Sequence, residues 1–124
     1  MRIIIGLCLA SLLAGAAFVY RSTRPALIYG AFTRAPHADL ADLVSRPKAY
    51  KGKTVAVEGV IKKQCESMGC FFFFEEGDKI LRIDLAEIAM NAPRKRDGRR
   101  ARVEGQLVPF NGGTQLWASA VEFK

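Results

Sequence analysis

The residues best suited to chemistry in this chain are Cys65, Met68 and Cys70, which lie within one short stretch. The Cys-x4-Cys spacing lets the two cysteines face each other from adjacent strands of a hairpin, and an oxidising compartment favours a disulfide between them. Closing a loop of about six residues contributes roughly 2 kcal/mol in the chain-entropy model. Thiolate and thioether sulfurs also suit Cu(I), so the same three residues are candidate ligands of a soft-metal site. A zinc site would need a further ligand such as Glu66 or His37, and two reduced thiols packed under aromatic rings are the third state that the spacing allows.

Four consecutive aromatic residues, Phe71 to Phe74, follow the cysteines. Strand residues alternate between two faces, so two of these rings are expected in a core and two outside it. Outward rings beside a basic groove are one way in which barrels bind single-stranded nucleic acid. A basic surface is predicted nearby in the chain, formed by Arg94, Lys95, Arg96, Arg99, Arg100 and Arg102. Because these charges lie in or beside a predicted loop, a solvated loop that touches anionic headgroups is the preferred interpretation, and nucleic acid is an unlikely partner.

The sequence carries no recognisable enzyme motif. The chain has 124 residues, a formal net charge of +7 and one histidine. The sequence contains no Ser-His-Asp set, no phosphate-binding glycine loop and no paired-histidine metal motif. The cysteine spacing also differs from the Cys-x-x-Cys of redox enzymes. We therefore predict a protein without catalytic activity.

The beginning of the chain predicts a membrane segment. Ile3–Tyr20 is uncharged, and as a helix it would span roughly 27 Å, close to the thickness of a hydrocarbon core. Arg2 precedes it and Arg21 follows it, so residues 1–21 are interpreted as a signal anchor of a single-pass protein whose domain lies in the periplasm or outside the cell. Alternatively, the small residues at 14–16 fit a signal-peptidase site, and the protein would then be secreted to the periplasm after cleavage.

Residues 38–124 are expected to form the folded domain, after a linker over residues 22–37 that contains several helix and strand breakers. A short helix is predicted over Asp39–Arg46, where the apolar residues share one face and Asp39 can cap the first turn. Five strands are predicted from their alternating patterns and bounding turns. They cover Thr54–Lys63, Cys70–Phe74, Lys79–Leu85, Arg102–Phe110 and Thr114–Phe123.

Glycines interrupt the first and fourth predicted strands. Gly59 and Gly105 each follow a Val-Glu pair, and this repetition predicts that both strands bend so that one strand can join both halves of a barrel. The glutamate before each glycine is interpreted as an outward-facing strand residue. In the fifth strand, Trp117 is expected to share a face with Val121 and Phe123.

Three strands, a short helical connection and two more strands form the order of the OB-fold, a five-stranded Greek-key barrel. The chain also resembles a group of small, uncharacterised bacterial exported proteins with an OB-like domain. The matching residues are Tyr50–Val55, Val57–Gly59, Cys65, Met68–Cys70 and Val103–Gly105, with Phe71 where that group is expected to have tryptophan. The resemblance implies a membrane-anchored, exported OB barrel and says little about activity.

These observations predict a mainly β protein that acts as a membrane-tethered, extracytoplasmic OB-fold binding module for an envelope protein or a small ligand. One alternative is a metal-binding protein that holds Cu(I) or zinc at Cys65, Met68 and Cys70. The other is an oligonucleotide-binding domain, which would require the opposite orientation in the membrane.

Overall fold

The computed structural model describes residues 27–65, 70–89 and 95–124, which form six strands and two short helices. The strands are β1 (Leu27–Gly30), β2 (Val55–Lys62), β3 (Phe71–Glu76), β4 (Lys79–Asp84), β5 (Arg100–Phe110) and β6 (Gly113–Phe123). Helix α1 (Leu40–Ser45) and a 3-10 helix (Pro47–Tyr50) precede β2. The predicted signal anchor, residues 1–21, lies outside the described residues. Among the residues that are described, no helix has the length and apolar character needed to cross a bilayer.

Five of the strands close into a barrel. Neighbouring strands follow the order β2-β3-β4-β6-β5, and β5 returns to pair with β2. All of these pairs are antiparallel except β4 with β6, which run in parallel from Arg82↔Gln115 to Asp84↔Trp117. The predicted five-stranded barrel with a short preceding helix is confirmed.

Strand β2 contributes to both halves of the barrel, as its glycine predicts. Residues 55–60 pair with β5, and the last two residues of the strand pair with β3. Gly59 lies at the change of partner, where a Cβ atom would lie 2.7 Å from Cγ of Phe74. The Phe74 ring is fully buried, so the strand bends where a missing side chain leaves room for that ring.

Helix α1 closes one end of the barrel. Leu40 and Leu43 are buried in the same core as Phe72, Phe74 and Leu116. The N-cap residue of α1 is Asp39, but its side chain makes no capping hydrogen bond, in contrast to the prediction; it lies 3.5 Å from Nε2 of His37 instead. We call this the helix end, which also holds the β3–β4 and β5–β6 hairpins. The opposite end, where β2 stops and β3 begins, is the cysteine end.

Part of the segment expected to be a linker forms a strand. β1 pairs with the last residues of β6, from Leu27↔Phe123 to Gly30↔Ala120. Residues 31–36, which we call the strap, then cross the outer face of β5 and reach β2, where the amide of Ala56 donates to the carbonyl of Pro36 at 2.9 Å. A four-residue strand among breakers has too little alternation to be recognised from sequence.

The expected placement of Trp117 is wrong. The register between β5 and β6 shifts between Glu104 and Gly105, so that Ser119 is an extra residue on β6. Such a bulge changes which face the following residues take. Trp117 is therefore on the outside with 38% of its surface exposed, whereas Val121 and Phe123 are buried.

Candidate functional site

The outer surface of β3 carries two of the four phenylalanines. Phe72 and Phe74 are fully buried, while Phe71 and Phe73 are half-buried on the outer face, as alternation predicts. The rings of Phe71 and Phe73 meet edge to face, with centroids 6.1 Å apart. This arrangement gives the sheet an aromatic outer surface next to the cysteine end.

Arg82 of β4 organises this surface. Its guanidinium carbon lies 4.4 Å from the ring centroid of Phe71 and 4.4 Å from that of Phe110, which reaches over from the end of β5. Nη1 of Arg82 donates to Oδ2 of Asp84 at 3.1 Å and to Oε1 of Gln115. A guanidinium stacked between two rings is held in one plane. We call this group, Phe71, Arg82, Asp84, Phe110 and Gln115, the Arg82 cluster.

The Arg82 cluster is well shielded but retains donor capacity. Only 18% of the Arg82 side chain and 14% of the Asp84 side chain are exposed. Asp84 is also fixed by the amide of Ala86, which donates to its Oδ1 at 2.9 Å. Within the described part of the chain, the hydrogen bonds of the Arg82 side chain all use Nη1, so Nε and Nη2 can still donate to an acceptor outside the chain.

Trp117 extends the same outer face onto β6. It is opposite Asp84 in the parallel pair, and its indole N–H donates to Oε2 of Glu87. Trp117 is the only tryptophan of the protein. The outer face of β3, β4 and β6 thus combines rings, one stacked cation and several fixed acceptors, a composition found where proteins bind ligands.

Cys65 and Cys70 come together at the cysteine end, beside the aromatic surface. The amide of Cys65 donates to the carbonyl of Phe71 at 2.9 Å, and the carbonyl of Cys70 accepts from the amide of Leu85 at 2.7 Å. Burial raises the pKa of the Cys70 thiol, and hydrogen bonding with the Cys65 side chain raises it further. No disulfide joins the two sulfur atoms in the structure. The predicted proximity of the two thiols is therefore present, while their redox state stays a prediction.

Of the other predicted metal ligands, the one that the structure describes does not lie near the thiols. Met68 and Glu66 lie outside the described residues. His37 bridges to Ala56 near the start of β2, at the opposite end of that strand from Cys65, so it does not complete a zinc site there. Among the described residues, no group of three or more His, Cys, Asp or Glu side chains is arranged to hold a metal ion.

Some residues of the predicted basic surface form ion pairs with neighbouring strands, and others do not. Arg100 pairs with Glu58 at 3.7 Å, and Arg102 pairs with Glu122 at 3.7 Å while stacking on Phe32 of the strap. Lys95, Arg96 and Arg99 have no ion pair within the described residues, and Arg94 lies outside them. The basic surface is thus partly neutralised by neighbouring strands.

The loop that carries the basic residues packs against the approach to Cys65. The carboxylate of Asp97 accepts hydrogen bonds from the amides of Lys63 at 3.1 Å and Gln64 at 3.0 Å. In turn, the buried Gln64 side chain accepts from the amide of Arg96 at 2.9 Å. These bonds hold the residues before Cys65 in place, a connection that sequence reasoning did not find because it joins residues far apart in the chain.

Sequence reasoning also missed the Arg82 cluster. Alternation in β4 does place Arg82 and Asp84 on the outward face, which was a usable signal. The contact with Phe110 depends on the pairing of β4 with β6 and of β6 with β5, and no local pattern reveals pairing between residues so far apart in the chain.

Comparison with known proteins supports the fold. No protein-family model and no curated protein matches the chain. Among solved structures, the hypothetical protein ygiW from E. coli matches with a TM-score of 0.54 at 10% identity, over 77% of this chain and 99% of that one. A putative aspartyl-tRNA synthetase from Leishmania major Friedlin matches with a TM-score of 0.58 at 12% identity, over 88% of this chain and 25% of the synthetase. At these identities the likeness concerns the fold alone, and it supports an OB-like barrel.

Proposed function

We propose that this chain is a non-catalytic OB-type binding module, tethered to the membrane by its first 21 residues and facing the extracytoplasmic space. The outer face of β3, β4 and β6 is its binding surface, and its partner is an envelope protein segment or a small ligand. OB barrels generally bind their ligands on the face formed by the second and third barrel strands. In this chain those strands are β3 and β4, so the proposed surface agrees with that face.

The Arg82 cluster is the observation that carries this proposal. Placing an arginine between two rings on the outside of a sheet does little for a core, and its charge is largely removed from water. Such a group is preorganised: its side-chain freedom is already lost before a ligand arrives, which lowers the cost of binding. Its Nε and Nη2 donors, with the neighbouring Phe73 and Trp117 rings, suit a ligand that has acceptor oxygens and a flat or apolar surface.

Trp117 emission provides a test, because the only tryptophan lies on the proposed surface. The full chain in lipid nanodiscs is titrated with short oligosaccharides and with short acidic peptides. We expect at least one probe to change the emission saturably, and Arg82→Lys to weaken that binding roughly tenfold, because lysine cannot donate in a plane or stack in the same way.

A matched control for this titration is Arg99→Lys, an exposed arginine on the loop at the cysteine end. It should leave the affinity unchanged. The proposal fails if neither class of probe perturbs Trp117, or if Arg82→Lys binds as tightly as the unsubstituted chain.

A soft-metal function is the second candidate, favoured by the contact between the Cys65 and Cys70 thiols. Cu(I) accepts a small set of sulfur ligands, and its binding would displace both thiol protons. Met68 is the third ligand that this candidate requires. Copper analysis of the reduced full chain should give one equivalent of bound metal, lost in Cys65→Ser and weakened in Met68→Leu. Equal copper content in the chain and in Cys65→Ser would rule the candidate out.

A further inference from the structure

A cavity opens at the helix end of the barrel, away from the cysteines. Three of its lining residues, Leu81, Pro109 and Thr114, are each next in the chain to a member of the Arg82 cluster. The cavity has a volume of about 560 Å³ and lies between α1, the 3-10 helix and the β5–β6 hairpin. Ligand pockets in proteins commonly measure roughly 300 to 1,000 Å³. The cavity is therefore large enough for a small molecule or a single hydrocarbon chain.

The walls of this cavity are mainly apolar. The cavity is lined by Val44 of α1, Pro47 of the 3-10 helix and Leu107 of β5. Leu81 of β4, which is buried, also lines it. Ile80 lies at its edge with 49% of its surface exposed. Ile80 thus extends the apolar walls to the mouth of the cavity, and such a lining suits an apolar occupant.

The charged residues that line the cavity are both lysines, Lys48 and Lys51. Both are exposed, and no acidic side chain of the described residues forms an ion pair with either. Lysine stems can follow an apolar wall while the ammonium groups stay at the water interface. An apolar interior with two uncompensated cations on its lining complements a molecule with a hydrocarbon body and an anionic head.

The described chain begins at a point away from this cavity. β1 begins beside Phe123, ten residues along β6 from Gly113, which lines the cavity. β2 stops and β3 begins at the cysteine end, at the other side of the barrel. The choice of occupant therefore follows from the lining itself, in which an apolar wall lies beside two lysines.

We propose that the helix-end cavity binds the anion of a single-chain fatty acid, with the hydrocarbon against Val44, Leu81 and Leu107 and the carboxylate near Lys48 and Lys51. The cavity shares β4 and the β5–β6 hairpin with the Arg82 cluster, but its proposed ligand contacts use none of the side chains of that cluster.

A photoreactive fatty acid tests the proposal on the full chain. A diazirine-bearing palmitate is added to the chain in nanodiscs of zwitterionic lipid, and the labelled residues are mapped by peptide mass spectrometry, normalised to labelling of the nanodisc scaffold. We expect labels within residues 44–51, 80–81 and 107–114. The corresponding diazirine-bearing hexadecanol, which has no carboxylate, should label these residues roughly tenfold less, as expected when two partly exposed charge contacts are lost.

Charge reversal provides the matched variants. Lys48→Glu with Lys51→Glu should reduce cavity labelling by palmitate roughly tenfold. Lys62→Glu with Lys95→Glu makes the same change in net charge with exposed lysines at the cysteine end, and should leave cavity labelling unchanged. Circular dichroism confirms that each variant keeps its strands.

Three results would overturn the proposal. The first is labelling that falls only outside these residues. The second is equal cavity labelling by palmitate and hexadecanol, or in the Lys48 and Lys51 variant. The third is a dimer of this chain that buries residues 44–51 and 107–114 and excludes the probe.

Discussion

At the scale of single residues, Gly59 shows how one missing side chain allows the barrel to close. Gly59→Ala would place a Cβ atom 2.7 Å from Cγ of Phe74, a ring without free space around it. We expect a loss of about 1 to 3 kcal/mol in the free energy of unfolding, as in other overpacked cores. Chemical denaturation followed by Trp117 emission measures this loss. Gly113→Ala is the control, because its Cβ would meet only the carbonyl oxygen of Phe110 at 3.7 Å; an equal loss in both variants would contradict the explanation.

Glu104 is a second residue whose role depends on its surroundings. It lies on the outer face of β5, as the sequence predicted, but the strap covers it and leaves 1% of its surface exposed. Its Oε1 accepts from the amide and the hydroxyl of Thr33 at 2.8 Å each, and its Oε2 accepts from the amide of Ala35 at 3.2 Å. Burial alone would raise the pKa of this carboxyl group, yet the hydrogen bonds from Thr33 and Ala35, with the charge of Arg102, lower it overall.

This lowered pKa predicts a dependence of stability on pH. Because the folded chain favours the carboxylate, the contribution of Glu104 is complete above its unfolded pKa and is lost as the pH falls through the lower, folded value. Glu104→Gln should cost roughly 2 to 3 kcal/mol at neutral pH, since an amide cannot accept all three bonds. Below about pH 4.5 the difference between the two chains should shrink. Urea denaturation of both at several pH values measures it, and a difference that stays constant into acid would contradict this role for the carboxylate.

At the scale of the elements, the contact between Phe110 and Arg82 links the β5–β6 hairpin to β4. Phe110→Ala removes one of the two rings around the guanidinium, an interaction of about 0.5 to 2 kcal/mol. We expect faster amide hydrogen exchange in residues 108–114 than in the unsubstituted chain, with little change in β2 and β3. Ile28→Ala, which removes an exposed side chain from β1 at the other end of β6, is the control. Unchanged exchange at the hairpin in Phe110→Ala would show that backbone pairing alone holds it.

Local patterns predict the elements of this protein better than their relations. Alternation and turn residues located all five barrel strands and α1, because each is bounded by glycine, proline or charged turns. The bulge at Ser119 was not predictable, since it arises from the register between β5 and β6 and leaves no local trace. For the same reason Trp117 was assigned to the wrong face. The contacts of the strap with Glu104 join residues about seventy positions apart, which periodicity cannot reveal.

At the scale of the whole molecule, only one of the two parts of the candidate site could be predicted from the sequence. The Cys-x4-Cys spacing correctly placed two thiols side by side, because a hairpin connection brings its flanking residues together. The Arg82 cluster needs the parallel pairing of β4 with β6, which joins the two halves of the chain so that β3, β4, β5 and β6 each supply a side chain. A site that depends on pairing between strands distant in the chain can be recognised only in the assembled fold.

Closure itself is weakest at the cysteine end, and this determines what a disulfide would do. In the described residues, β2 and β3 share two residue pairs and β4 and β6 share three, whereas β2 and β5 share six, β3 and β4 six and β5 and β6 ten. Cys65 and Cys70 lie directly beyond the short β2–β3 pairing, so a bond between their sulfur atoms would fasten the least paired seam of the barrel. Such a bond should add about 2 kcal/mol, which for a domain of this size raises the unfolding midpoint by on the order of 10 °C.

Thermal unfolding of the full chain in nanodiscs, with and without a dithiol reductant, measures this difference through Trp117 emission. The oxidised chain should unfold at the higher temperature, and the reductant should lower that midpoint to the value of Cys65→Ser. Cys65→Ser itself should show no response to reductant, which separates the pair from Cys8, the remaining cysteine of the chain. If the midpoint of the unsubstituted chain is the same in both conditions after thiol titration has shown complete oxidation, the seam between β2 and β3 does not limit the stability of the barrel.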